Sequence, residues 1–200
     1  MPPQLYRLDK NSPDYKELEK GFLASWEHPN KRIPIIQSIY RTRGSELQNS
    51  YRMKRWNKHK DTTNGEYDYL WHGTRRCCYA GEPGGLRGQG QDEHVRWCNQ
   101  PTCGLCGILK KSFQVSKSEA DNFANNALTN SKVKVILICS VVTGRVQYLR
   151  NSCSNRLAPD PGFDSVEGVL IADGGLVNYP EMVVYRDDAI VPMGLIVYYR

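Results

Sequence analysis

Apolar positions along the chain change their period twice. In residues 13–26, "PDYKELEKGFLASW", they recur at helical spacing behind Ser12-Pro13, whose cap and first-turn proline mark a helix start. "RIPIIQSIYRT" then reads as an isoleucine-rich strand. Gly44-Ser45 opens a second helix, with Ser45 and Gln48 spaced as a capping box; it runs to about Lys58 and turns Leu47, Tyr51 and Trp56 toward a core. "GEYDYLWHG" is the next strand, and the polar, glycine-rich residues 79–102 read as loop. Two more helices are expected. One covers residues 104–113, and the other is "SKSEADNFANNAL", where Ser116 and Glu119 fit a capping box and Ala120, Phe123, Ala124 and Ala127 share a face.

The C-terminal half switches to β-branched runs. "KVKVILICSVV", "GRVQYL", "EMVVYRD" and "AIVPMGLIVYY" are separated by Gly, Asn, Asp and Pro, and "VTGR" reads as a turn joining the first two. Helices and a few strands first, strands later, predict an α+β fold with a mostly antiparallel sheet. Its 200 residues suit one domain spanning 1–200, and no internal repeat interrupts it.

Composition changes this picture in two respects. No apolar run is long enough to span a bilayer and the first residues lack a signal peptide's apolar stretch, so an intracellular protein, nuclear or cytoplasmic, with no membrane partner is expected. The net charge of +6 concentrates before the His-Gly strand in Arg41, Arg43, Arg52, Lys54, Arg55, Lys58 and Lys60, with Tyr51 and Trp56 interleaved. Such a stretch is either a nucleic-acid surface or, as the core-facing residues among them favour, a solvated helix face.

Seven cysteines, an odd number, fit reduced thiols or a metal site better than disulfides. Cys98, Cys103 and Cys106, with Cys77 or Cys78 some twenty residues earlier, spell either a four-thiolate structural zinc site, in which Cys78 is the fourth ligand, or core thiols at a helix start. His94 is a further candidate ligand.

The remaining chemistry sits at strand ends. "YLWHGT" delivers His72, Gly73 and Thr74 at the end of an apolar run, "PGFDSVEG" reads as a loop beside turn glycines, and "NYPEMVVY" puts Glu181 at the start of a strand. In this order the three segments, followed by "DDAIVPMGLIVY", resemble the catalytic domain of the poly(ADP-ribose) polymerase family, most closely its fungal members. The cysteine layout "RRCC" then "CNQPTCGLCGILKKSF" and the opening "FLASWEHPNKRIPIIQSIYRT" share in the resemblance, which runs from about Phe22 to Tyr199.

The resemblance implies an ADP-ribosyltransferase-like fold, two packed, mostly antiparallel sheets with flanking helices, and transfer of ADP-ribose from NAD+ to a protein acceptor with release of nicotinamide. It implies that His72 binds a ribose hydroxyl, that the Gly73 backbone meets the nicotinamide amide with Thr74 beside it, and that Glu181 supports an oxocarbenium-like transition state. It also implies that Phe123 stacks on nicotinamide, with Ala120 as the small residue nearby. The family's Gly-x-Gly-Ile-Tyr strand has no counterpart between "KKSF" and "QVSKSEADNF". That gap removes the family tyrosine and points either to mono-ADP-ribosylation or to an impaired relative serving as a protein-interaction module.

Overall fold

A computed structural model describes residues 4–26, 31–113, 124–153 and 155–199. The strands are β1 (Tyr6–Arg7), β2 (Ile35–Arg41), β3 (Tyr67–Gly73), β4 (Arg75–Arg76), β5 (Leu86–Arg87), β6 (His94–Val95), β7 (Asn125–Asn126), β8 (Lys134–Val142), β9 (Val146–Leu149), β10 (Ser165–Gly168), β11 (Met182–Val184) and β12 (Ile190–Tyr199). The helices are α1 (Pro13–Ala24), α2 (Gly44–Asn49), α3 (Tyr51–Thr62) and α4 (Gly104–Lys111). The α+β expectation holds. A seven-stranded sheet in the order β3-β8-β12-β2-β1-β6-β5 is antiparallel throughout, a three-stranded sheet runs β11-β10-β9, and β4 pairs with β7.

Why β8 reads as an unbroken apolar run is visible in what covers it. Val135, Leu137, Cys139 and Val141 face one way, into a cluster with Leu105 and Leu109 of α4, Leu5 and Tyr40. Ile136 and Ile138 face the other way, against Tyr15, Leu18 and Phe22 of α1. With both faces covered, the period-2 alternation of apolar and polar residues disappears although the alternation of direction remains. At the end of the sheet, Val142, Val191 and Met193 pack on Leu47, Met53 and Trp56 of α2 and α3. α1 starts as its sequence dictates, with the Ser12 hydroxyl accepting from Tyr15 N at 3.2 Å and Pro13 in the first turn.

β12 carries Pro192 in mid-strand, which a central strand tolerates only where the ladder is interrupted. The register against β8 shifts between Pro192 and Gly194. Gly194 is obligatory for a separate reason: a Cβ there would lie 2.3 Å from Tyr40 O of the neighbouring strand.

A buried charge ties the loop after β4 to the chain before β8. Arg76, only 1% exposed, pairs with Glu82 at 2.7 Å and donates to Asn126 Oδ1, Ala80 O, Ser131 Oγ and Val133 O. Four hydrogen-bond acceptors and one carboxylate counter-charge make this burial sustainable.

Several sequence expectations are corrected. The second helix is two helices, because Ser50 is extended and caps α3, its hydroxyl accepting from Met53 N at 3.1 Å; α2 begins at Gly44, so the Ser45–Gln48 capping box does not form. The break rotates Tyr51 out to 76% exposure while Trp56 stays buried. Residues 79–102 include β5 and β6 as well as loop. "VTGR" does join the first two C-terminal strands, but β9 leaves the large sheet and pairs in parallel with β10. Ser165–Gly168 of the expected "PGFDSVEG" loop is β10 itself. The capping box of Ser116 and Glu119 and the expected helix as far as residue 123 lie outside the described residues; its end, with Ala124 and Ala127, is not helical, because Asn125–Asn126 forms β7 against β4.

Leu195 is fully buried between β8 and β2. Leu195→Ala is expected to lower stability by about 2–5 kcal/mol in denaturant unfolding, and Gly194→Ala to lower Tm through the clash with Tyr40 O.

Candidate metal centre and strand-end site

Three separate segments bring sulfur to one place. Cys78 follows β4, Cys98 follows β6, and Cys103 and Cys106 stand at the N-cap and in the first turn of α4. The four Sγ atoms lie within 4.8 Å of one another, a grouping that can hold a metal ion. Cys78 Sγ is 3.6 Å from Cys106 Sγ and 3.9 Å from Cys103 Sγ. The spacing left Cys77 and Cys78 as alternatives, and the structure selects Cys78. Cys77 turns its sulfur to Thr102 O at 3.4 Å and contributes its backbone N–H to Cys103 Sγ instead.

His94 is not part of the group: its Nδ1 lies 2.9 Å from Asp92 O, and its ring packs on Tyr6. Cys139 is buried in β8 and Cys153 is exposed.

The neighbouring thiols share protons unequally. Hydrogen bonds from Cys106 and Cys78 hold Cys103 well below the ordinary thiol range. The same contact with Cys103 pushes Cys106 far above it and Cys78 up to about 12. Two features missed in the sequence make the convergence possible. Gly104 lets α4 lie against the strand end, since a Cβ there would meet Thr74 Oγ1 at 2.3 Å. Arg52 reaches from α3 to cap α4's far end, donating to Leu109 O at 2.9 Å and to Lys110 O.

Three further candidate residues, His72, Gly73 and Thr74, lie at the end of β3. As an edge strand β3 pairs only with β8 in the sheet, and it places His72 opposite Leu137 and Gly73 opposite Ile136. Thr74 continues into the contact with α4. The chain leaving α4 turns at Ser112 (φ 75°) and lays Phe113 edge-on against the His72 ring, with centroids 4.8 Å apart and planes at 88°. Burial pushes the His72 imidazole down to about 4, so the ring is neutral at physiological pH.

Glu181 is half-buried and sits one residue before β11; its carbonyl accepts from Gly168 N at 3.1 Å. The two sheets adjoin, because Val184 of β11 packs into the cluster that holds Tyr69 of β3. Ala120 and Phe123 lie outside the described residues.

The basic stretch is largely engaged within the fold. Arg55 forms a bidentate pair with Asp187 at 2.9 and 2.8 Å, Arg43 meets Asp92 at 2.7 Å, Arg41 meets Asp14 at 2.9 Å, and Lys60 lies over Trp56 and Tyr67. Among the described residues, no helix is long and apolar enough to cross a membrane. No protein-family model matches the chain, and neither does any curated protein.

The His72 environment yields a pH prediction. A folded-state pKa of about 4 against 6.5 in the unfolded chain means the unfolded state binds more protons between these values, so stability falls as pH drops from 6.5 toward 4. Denaturant unfolding across that range should lose up to about 3 kcal/mol through this group. His72→Gln should flatten the slope.

Proposed function

We propose that the chain is a PARP-like ADP-ribosyltransferase that moves ADP-ribose from NAD+ to a protein acceptor, releasing nicotinamide. The reading rests on the sequence resemblance together with two placements: His72-Gly73 closes the edge strand β3, and Glu181 stands one residue before β11, whose Val184 packs on the same cluster as Tyr69 of β3. The sequence resemblance assigns roles to those same residues.

Each role suits the chemistry. A neutral imidazole can hydrogen-bond a ribose hydroxyl without repelling the positively charged nicotinamide ring. A glycine at a strand end allows the nicotinamide amide to approach the backbone and find both a donor and an acceptor there. Glu181 is the one carboxylate assigned to the reacting centre. Placed beside the anomeric carbon, it would stabilise the positive charge that develops as the glycosidic bond to nicotinamide lengthens. The bond broken is ribose C1 to nicotinamide nitrogen, and the bond formed is ribose C1 to a nucleophile of the acceptor, whose proton is released. Without the family's tyrosine, transfer stops at a single unit.

A second reading, a protein-interaction module descended from such enzymes, is favoured by one contact. Phe113 packs on the His72 ring, where a bound ribose would need access.

NAD+ consumption with label transfer separates the two. The wild-type chain is expected to label protein acceptors, and Glu181→Ala to reduce the rate by about 10²-fold or more. A thermal shift with NAD+ or a nicotinamide mimic should accompany activity. A chain that neither transfers label nor is stabilised by NAD+ is the interaction module.

A further inference from the structure

We propose that Cys78, Cys98, Cys103 and Cys106 bind a single Zn2+ ion in a closed four-thiolate centre, which fastens the loops after β4 and β6 to the first turn of α4. The assignment stands independently of the NAD+ reading.

Geometry is the first argument. Four sulfurs arranged tetrahedrally around one zinc, with Zn–S bonds of about 2.3 Å, are separated from one another by about 3.8 Å. The observed separations of 3.6 and 3.9 Å bracket that value, and all four sulfurs fall within 4.8 Å. A multinuclear iron–sulfur cluster holds its cysteine sulfurs farther apart, because its own iron and sulfide atoms lie between them. None of the four is in a disulfide.

The surrounding backbone is the second argument. The Cys77 amide N–H donates to Cys103 Sγ at 3.4 Å. A donor of this kind offsets thiolate charge and helps fix the sulfur lone pairs toward a metal. The start of α4 adds the favourable end of its helix dipole at Cys103 and Cys106. Buried thiols that only fill space have no need of such donors. Cys139, enclosed by apolar neighbours in β8, is the internal contrast.

Four soft ligands select zinc over calcium or magnesium and leave no open position for substrate, so the role is structural. Binding forms four Zn–S bonds and releases to solvent the thiol protons still present, with no change in oxidation state. The ion would do for this small, loop-rich region what an apolar core does elsewhere. Residues 77–103 contain only two-residue strands, a single 3-10 turn and irregular chain. It would also fix the end of α4 opposite Arg52, and so hold Thr74 and Phe113 in place around His72.

The test uses the full chain, purified under reducing conditions with zinc supplied and then desalted. Elemental analysis should find one zinc per chain. Replacement by Co2+ should give the intense thiolate-to-cobalt charge-transfer and visible bands of a tetrahedral sulfur site. Cys98→Ser should weaken metal binding at least 10-fold, whereas Cys153→Ser should bind as wild type does. The cobalt spectrum of the wild-type chain decides the matter even if Cys98→Ser fails to fold. A folded wild-type chain that takes up neither zinc nor cobalt, binds cobalt octahedrally, or prefers iron overturns the proposal, as does a Cys98→Ser variant that keeps full affinity. NAD+ binding or its absence bears on none of these outcomes.

Discussion

Burial of the β8–β12 pair on both faces is the constraint on which the rest of the molecule depends. The two strands run antiparallel over most of their length, and their side chains alternate between a cluster closed by α4 and one closed by α1. Neither strand can shift its register by one residue without exchanging the contents of the two clusters. The bulge at Pro192–Gly194 is compatible with this because it falls where β12 passes Tyr40, and a glycine there allows the close approach. β3 inherits its position from β8, and with it the placement of His72 and Gly73 at the sheet's edge.

α4 transmits that order to the candidate sites. It is a helix of 8 residues, too short to be stable alone in water. It is held at its start by the cysteine cluster, along its face by Leu105 and Leu109 in the core, and at its end by the Arg52 guanidinium. Its start lies against Thr74 and its exit delivers Phe113 to His72. The cysteine cluster and the strand-end site are therefore two ends of one mechanical element. The Arg76–Glu82 network performs a parallel task on the other side of β4, joining it to residues 126–133 by charge and hydrogen bonds rather than by apolar area.

The surface chemistry follows the same economy of use. The basic residues before β3 look in sequence like a patch for a polyanion, yet most are matched to carboxylates or helix-end carbonyls across the fold. Arg55 spans to Asp187 and Arg52 to α4, contacts separated by more than fifty residues in the chain. A pair of that kind positions elements more than it stabilises them, since exposed ion pairs contribute little net energy.

The sequence by itself determined what local physics controls. The Ser12-Pro13 helix start, the strands 35–41, 67–73, 134–142 and 190–199, the α+β class, and a cysteine spacing compatible with a cluster of four sulfurs were all legible, because caps, β-branched runs and ligand spacing act over a few residues. Tertiary structure decided the rest. Only packing shows that Ser50 divides the second helix, since its cap competes with a continuous helical pattern that is equally good locally. Only sheet assembly sends β9 to pair in parallel with β10 instead of turning back on β8, a choice between partners of similar apolar content. Cys78 prevails over Cys77 because the chain leaving β4 turns the Cys77 sulfur to Thr102 O and sets the Cys78 sulfur beside Cys103 and Cys106, a choice made by packing against α4. Phe113 reaches His72 for the same reason: the contact joins residues 41 apart in the chain, brought together by the helix and strand that carry them.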